Sequence, residues 1–139
     1  MPISGGCLCK QLRYEIAADA PIVARVCWCR VCQYLGAGSA TANAMFPRDA
    51  VTITGERKRY TSIADSGSVM HRSFCPDCGT PVFSESETRP DLIIARVGTL
   101  DDPELGKPMA TIWARSAPSW ACIDATVPKF ERAAPAPAK

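Results

Sequence analysis

What this chain lacks narrows it quickly. It has no run of about 18 apolar residues, so no segment reads as a membrane-crossing helix. The stretch Met1-Pro2-Ile3-Ser4-Gly5-Gly6 has neither the basic nor the apolar region of a secretory signal, and the expectation is a cytoplasmic protein. Sixteen Lys and Arg against 14 Asp and Glu leave a net charge of +2, scattered and not striped, which argues against a nucleic-acid partner. No long 3.6-residue apolar stripe occurs, so helix should be a minor component. No internal repeat and no second domain is visible. The single histidine, His71, alternates with Val69 and Ser73 along an expected strand; with no motif around it, it reads as a satisfied or exposed side chain and not as a ligand.

Cysteine is what the chain has in excess: eight in 139 residues. Seven fall in three tight groups, Cys7 with Cys9, then Cys27, Cys29 and Cys32, then Cys75 with Cys78, and only Cys122 stands alone. In a protein without an export signal these thiols stay reduced, which favours metal ligation over disulfides. In Cys27-Trp28-Cys29-Arg30-Val31-Cys32, an extended strand would put the first two thiols on one face, and a turn through Arg30 and Val31 would return Cys32 to the same point. Three thiolates at this spacing suit zinc with a fourth position free for water or substrate. Phe74-Cys75-Pro76-Asp77-Cys78-Gly79-Thr80 is a C-x-x-C knuckle in which Pro76 fixes the first turn and Gly79 permits the backbone conformation after the second ligand. A redox dithiol is disfavoured because no βαβ pattern surrounds it.

The rest reads as short strands between turn residues, the pattern of an all-β domain of 139 residues, long enough to bury its own core. Expected strands are Gln11 to Ile16 with Cys7 and Cys9 continuing its alternation, Ile22 to Val26, Ala42 to Phe46, Val51 to Thr54, Arg57 to Ser62, Val69 to Phe74, Pro81 to Ser84, Leu92 to Val97 and Met109 to Arg115. Leu92 to Val97 should be buried on both faces. Gly36-Ala37-Gly38-Ser39 is permissive backbone where a ligand could approach closely. Residues 1–131 form the expected single domain, and the Ala/Pro-rich residues 132–139 an expected disordered tail.

In Gly6-Cys7-Leu8-Cys9, Cys27 to Cys32, Phe74 to Thr80, Gly98-Thr99-Leu100-Asp101-Asp102-Pro103 and Ile112 to Pro118 followed by Trp120, the chain resembles the glutathione-dependent formaldehyde-activating enzymes, whose domain is related to centromere protein V. The resemblance implies a mainly β, zinc-binding β-tent fold like that of methionine-R-sulfoxide reductases. It implies a structural zinc held by Cys7, Cys9, Cys75 and Cys78, a second zinc on Cys27, Cys29 and Cys32, and a carbon-sulfur lyase-type reaction joining glutathione to formaldehyde. Two positions depart from the family pattern: Trp28 stands where a His is common, and Lys10 where a Gly is common after the first cluster.

Two zinc ions per chain are therefore expected, with a small thiol and an aldehyde as partners. A thiol bound at the open zinc would lose its proton and attack the aldehyde carbon. Trp28 could cover that zinc or floor a pocket, and Arg115 could receive a substrate carboxylate bidentately. Trp113 and Trp120 read as core. Three alternatives stay open: Cys122 or His71 completing the second site, a non-catalytic zinc domain that binds a protein partner, and a zinc-dependent hydrolase of a small carbonyl or imine compound. Oligomeric state is left open.

Overall fold

The structure, a computed structural model, describes residues 2–137. Its elements in chain order are β1 (Ile3–Gly6), β2 (Arg13–Ile16), β3 (Val23–Cys27), α1 (Arg30–Leu35), β4 (Thr41–Pro47), β5 (Val51–Thr54), β6 (Lys58–Ile63), β7 (Val69–Phe74), β8 (Pro81–Ser86), β9 (Leu92–Arg96) and β10 (Ala110–Ile112), joined by short 3-10 turns. The fold is mainly β, as expected. One sheet has three strands in the order β1-β2-β5, and the other has seven in the order β10-β3-β4-β9-β8-β7-β6. Pairing is antiparallel throughout except for β10 on β3.

Strand alternation builds the core and the site at once, because neighbouring residues point to opposite faces of a sheet. Tyr14 and Ile16 on β2 meet Ala44 and Phe46 on β4, Phe83 on β8, and Ile93 and Ala95 on β9 in one buried cluster. The Tyr14 and Phe83 rings sit 5.0 Å apart, and the Tyr14 hydroxyl hydrogen-bonds with Thr99 Oγ1 at 2.8 Å. The intervening residues Asn43, Ser84, Ile94 and Arg96 instead line a cavity that also touches the middle cysteines. The expectation that Leu92 to Val97 is buried on both faces agrees with β9, where four of five residues are buried.

Several local expectations are corrected. Strand β1 was not anticipated, because Ile-Ser-Gly-Gly carries no alternation; its glycine is required because a Cβ on Gly5 would lie 2.3 Å from the Thr99 carbonyl oxygen and 2.4 Å from the Tyr14 hydroxyl. Cys7 and Cys9 do not extend β2 but lie in the turn before it, where Lys10 donates its N–H to the Cys7 carbonyl at 3.1 Å. The turn expected through Arg30 and Val31 is the start of helix α1, capped by the Cys29 sulfur, which accepts the Cys32 N–H at 3.3 Å. Gly36 to Ser39 close that helix: the Gly36 N–H reaches the Cys32 carbonyl at 2.7 Å, and Ala37 and Gly38 take φ of 56° and 97°.

The segment from Arg132, expected to be disordered, lies along the body as far as Pro137. Pro128 and Phe130 exchange backbone hydrogen bonds of 2.9 Å with Thr111, covering the free edge of β10. Trp113 N–H then reaches the Arg132 carbonyl at 3.0 Å, Arg25 the Pro135 carbonyl at 2.9 Å and Arg89 the Pro137 carbonyl at 2.8 Å. Ala138 and Lys139 lie outside the described residues.

Candidate metal centres

The turn between β1 and β2 and the knuckle after β7 bring Cys7, Cys9, Cys75 and Cys78 together, with all four sulfurs within 4.8 Å of one another. Cys7 and Cys9 sulfurs are 3.6 Å apart, and Cys9 and Cys75 sulfurs 3.7 Å. Four thiolates about 2.3 Å from a zinc ion lie roughly 3.8 Å from each other, so the spacing fits tetrahedral coordination. It is far beyond a disulfide bond, and all eight cysteines are free. N–H groups surround the sulfurs as they surround thiolates: Leu12 donates to Cys7 at 3.4 Å, and Gln11 and Asp77 donate to Cys75 at 3.3 and 3.4 Å. The Thr80 hydroxyl, then the Thr80 and Cys9 N–H groups, lower the Cys78 thiol to about 5. Gly79, as expected, carries the positive φ of 77° that ends the knuckle.

Cys27 at the end of β3, Cys29 at the helix cap and Cys32 in α1 form the second cluster, all three buried and all sulfurs within 4.8 Å. Hydrogen bonds with Cys27 and Cys29 push the Cys32 thiol down, and hydrogen bonds with Cys29 and Cys32, together with burial, push Cys27 up. Three converging sulfurs are a donor set that could hold a metal ion.

A cavity of about 150 Å³ opens against these sulfurs, lined also by Asn43, Asp65, Arg72, Ser84, Arg96 and Trp113. Arg72 and Arg96 escaped the sequence reading. Each is more than nine-tenths buried, and their hydrogen-bond partners are the neutral Ser62, Asn43 and Ser84. Among the described residues no carboxylate pairs with either. Burial lowers the Arg96 pKa, and the nearby Cys32 sulfur opposes that fall. A signal for Arg96 existed: an arginine ending a strand expected to be buried on both faces needs a buried anion.

Other candidates fall elsewhere. Trp28 is buried but packs edge-on against Trp120, ring centroids 6.3 Å apart, and is not among the residues lining the cavity. Trp113, read as core, does line it, and Trp120 is 67% exposed. Arg115 is exposed in the 3-10 turn Ala114–Ser116 and does not line the cavity. Cys122 is exposed and outside both clusters. His71 spends both ring nitrogens on Thr61 Oγ1 at 2.7 Å and Glu87 Oε2 at 2.8 Å.

The mainly β domain holds one four-cysteine and one three-cysteine cluster, each of which could hold a metal ion. The chain belongs to the glutathione-dependent formaldehyde-activating enzyme family, whose model matches residues 2–116. A crystal structure of a Rhodobacter sphaeroides protein shares the fold at 20% identity, with a TM-score of 0.59 over 76% of this chain and 96% of that one. No curated protein matches. No helix is long and apolar enough to cross a membrane, among the described residues.

Proposed function

We propose that this protein is a zinc-dependent carbon-sulfur lyase-type enzyme that forms or cleaves the adduct of a small thiol, such as glutathione, with an aldehyde such as formaldehyde. Cys7, Cys9, Cys75 and Cys78 hold a structural zinc, and Cys27, Cys29 and Cys32 a second one. The observation that carries the reading is the cavity against the three sulfurs, where a closed site would have a fourth ligand. A zinc with three thiolate ligands supplies a position at which a substrate thiol ionises and becomes nucleophilic.

The chain's own residues supply the rest. Asp65 is the carboxylate lining the cavity, held there by the Arg30 N–H, which it accepts at 3.2 Å. It takes the thiol proton and returns it to the aldehyde oxygen as sulfur bonds to carbon, so addition is balanced without a redox partner. Arg72 and Arg96 offset the negative charge of three cysteinates. The reduced thiol pool of a cytoplasm suits both clusters. The family match supports the chemistry at the level of glutathione-dependent formaldehyde activation.

Turnover is to be read as glutathione-dependent formaldehyde consumption above the spontaneous rate, then with other thiols and aldehydes. Zinc-loaded protein should accelerate at least one pair, and Asp65→Asn should lower that rate by roughly 100-fold with the metal retained. Absence of acceleration with every pair, alongside a second zinc that never exchanges its fourth ligand, would leave a metal-stabilised binding domain in its place.

A further inference from the structure

Arg72 and Arg96 line a second and larger space as well as the cavity at the cysteines. It measures about 540 Å³, within the range of small-molecule pockets, and lies between α1 and the β6–β7 pair. Val31, Leu35, Tyr60, Ile63 and Phe74 make most of its wall apolar, and no carboxylate contributes to it. The charged residues lining it are Arg72 and Arg96, which are 8% and 9% exposed. In each, the Nε–H finds no hydrogen-bond partner. A buried cation with an unmet donor is unfavourable until an anion reaches it. Both guanidiniums hydrogen-bond only to neutral groups, Ser62, Asn43 and Ser84. Among the described residues neither has a carboxylate within ion-pair distance.

We infer that the two cavities form one substrate site, in which Arg72 and Arg96 receive the carboxylate of a small organic monoanion whose apolar body fills the larger space. This rests on the proposed function and names its substrate class: a thiol with an apolar body and one carboxylate, in place of glutathione with its two carboxylates and ammonium. Guanidinium geometry suits the carboxylate, since its planar fork of donors matches two oxygens. The apolar wall selects the body, because burying it there removes hydrocarbon from water. With the carboxylate at the shared wall and the apolar body in the larger space, the thiol end reaches toward the sulfurs of the smaller cavity.

The test is calorimetry on full-length, zinc-loaded protein with 3-phenylpropanoate and its neutral isostere 3-phenylpropanamide. One carboxylate should bind per chain, with the amide weaker by roughly 10- to 100-fold, the range for losing charge-assisted hydrogen bonds in a buried site. Arg72→Gln should erase that preference. Should Arg72→Gln fail to fold, Ile63→Glu decides, because Ile63 lines the cavity yet is 69% exposed on the edge strand and tolerates a charge. It should weaken the carboxylate several-fold and leave the amide unchanged. Equal affinity for acid and amide, or no binding of either, overturns the inference, as does an Ile63→Glu protein that keeps the full preference. Because binding is read without turnover, a protein that accelerates glutathione addition but ignores the aryl carboxylate sinks this inference alone. One that binds the carboxylate but accelerates no thiol-aldehyde pair sinks the proposed function alone.

Discussion

Emptying the four-cysteine site should cost the fold more than emptying the three-cysteine site, and the difference can be worked from chain connectivity. The perturbations are the paired variants Cys75→Ser/Cys78→Ser and Cys29→Ser/Cys32→Ser, each of which leaves too few sulfurs to hold an ion. Cys9 and Cys75 are 66 residues apart and are joined through the first site. The second site joins residues within Cys27 to Cys32, a separation of five. Loop-closure entropy grows as (3/2)RT ln n, so releasing the longer loop frees about 2 kcal/mol more than releasing the shorter one. Packing adds to this, since Cys7 and Cys75 belong to the main core cluster while the middle cysteines form a satellite with Val31, Ile112 and Trp113. For a chain of this size each kcal/mol moves the melting temperature by roughly 3 °C, so the first variant should melt at least about 6 °C below the second. Thermal melts by circular dichroism, with zinc content measured on the same samples, decide it. Equal melting temperatures, or the reverse order, would show that the first cluster does not act as the long-range tie.

Metal analysis of protein purified without chelator should give about two zinc ions per chain; Cys122→Ser should leave that number and the turnover unchanged, because Cys122 is exposed and apart from both clusters. Loss of one ion in Cys122→Ser would instead mean a closed second site. Lys10→Gly should stabilise the protein by about 0.5 to 1 kcal/mol in denaturant unfolding, since Lys10 holds a positive φ of 71° that costs an L-residue more than glycine's extra unfolded-state entropy; a loss of stability would show that the lysine stem is compensated. Asp101, held below the usual carboxylate range by the Arg13 guanidinium and then the Ser4 hydroxyl, stabilises the fold above the unfolded-state value near 3.8 and loses that contribution as pH falls through its lowered folded value. Because both partners are over a third exposed, Asp101→Asn should cost under about 1 kcal/mol at neutral pH and flatten the acid limb of stability against pH; an unchanged acid limb would refute it.

The three cysteine groups were legible from sequence because ligand spacing is a local property: a C-x-x-C knuckle dictates its own turn, and Gly79 announces it. The same holds for most strands, and Val51–Thr54 and Val69–Phe74 coincide with their expected limits because turn residues bracket them. Even Lys10 became interpretable, as a residue standing at a position whose backbone favours glycine. Local signals failed where partners are remote. Cys32 reaches its neighbours from a helix whose first turn is capped by Cys29, and a six-residue helix leaves no periodicity to read. The hydrogen bonds of the C-terminal segment go to the free edge of β10 and to Arg25 and Arg89, none of them near it in sequence. Above all, Arg72 on β7 and Arg96 on β9 acquire their role only when sheet register sets Arg96 opposite Asn43 and Arg72 opposite Ser84, on the face that looks toward the three cysteines. Sequence by itself determined which atoms could bind metal. Tertiary structure decided what surrounds them, because the energy of a buried charge depends on which groups the fold brings within a few ångströms, and chain spacing does not encode that distance.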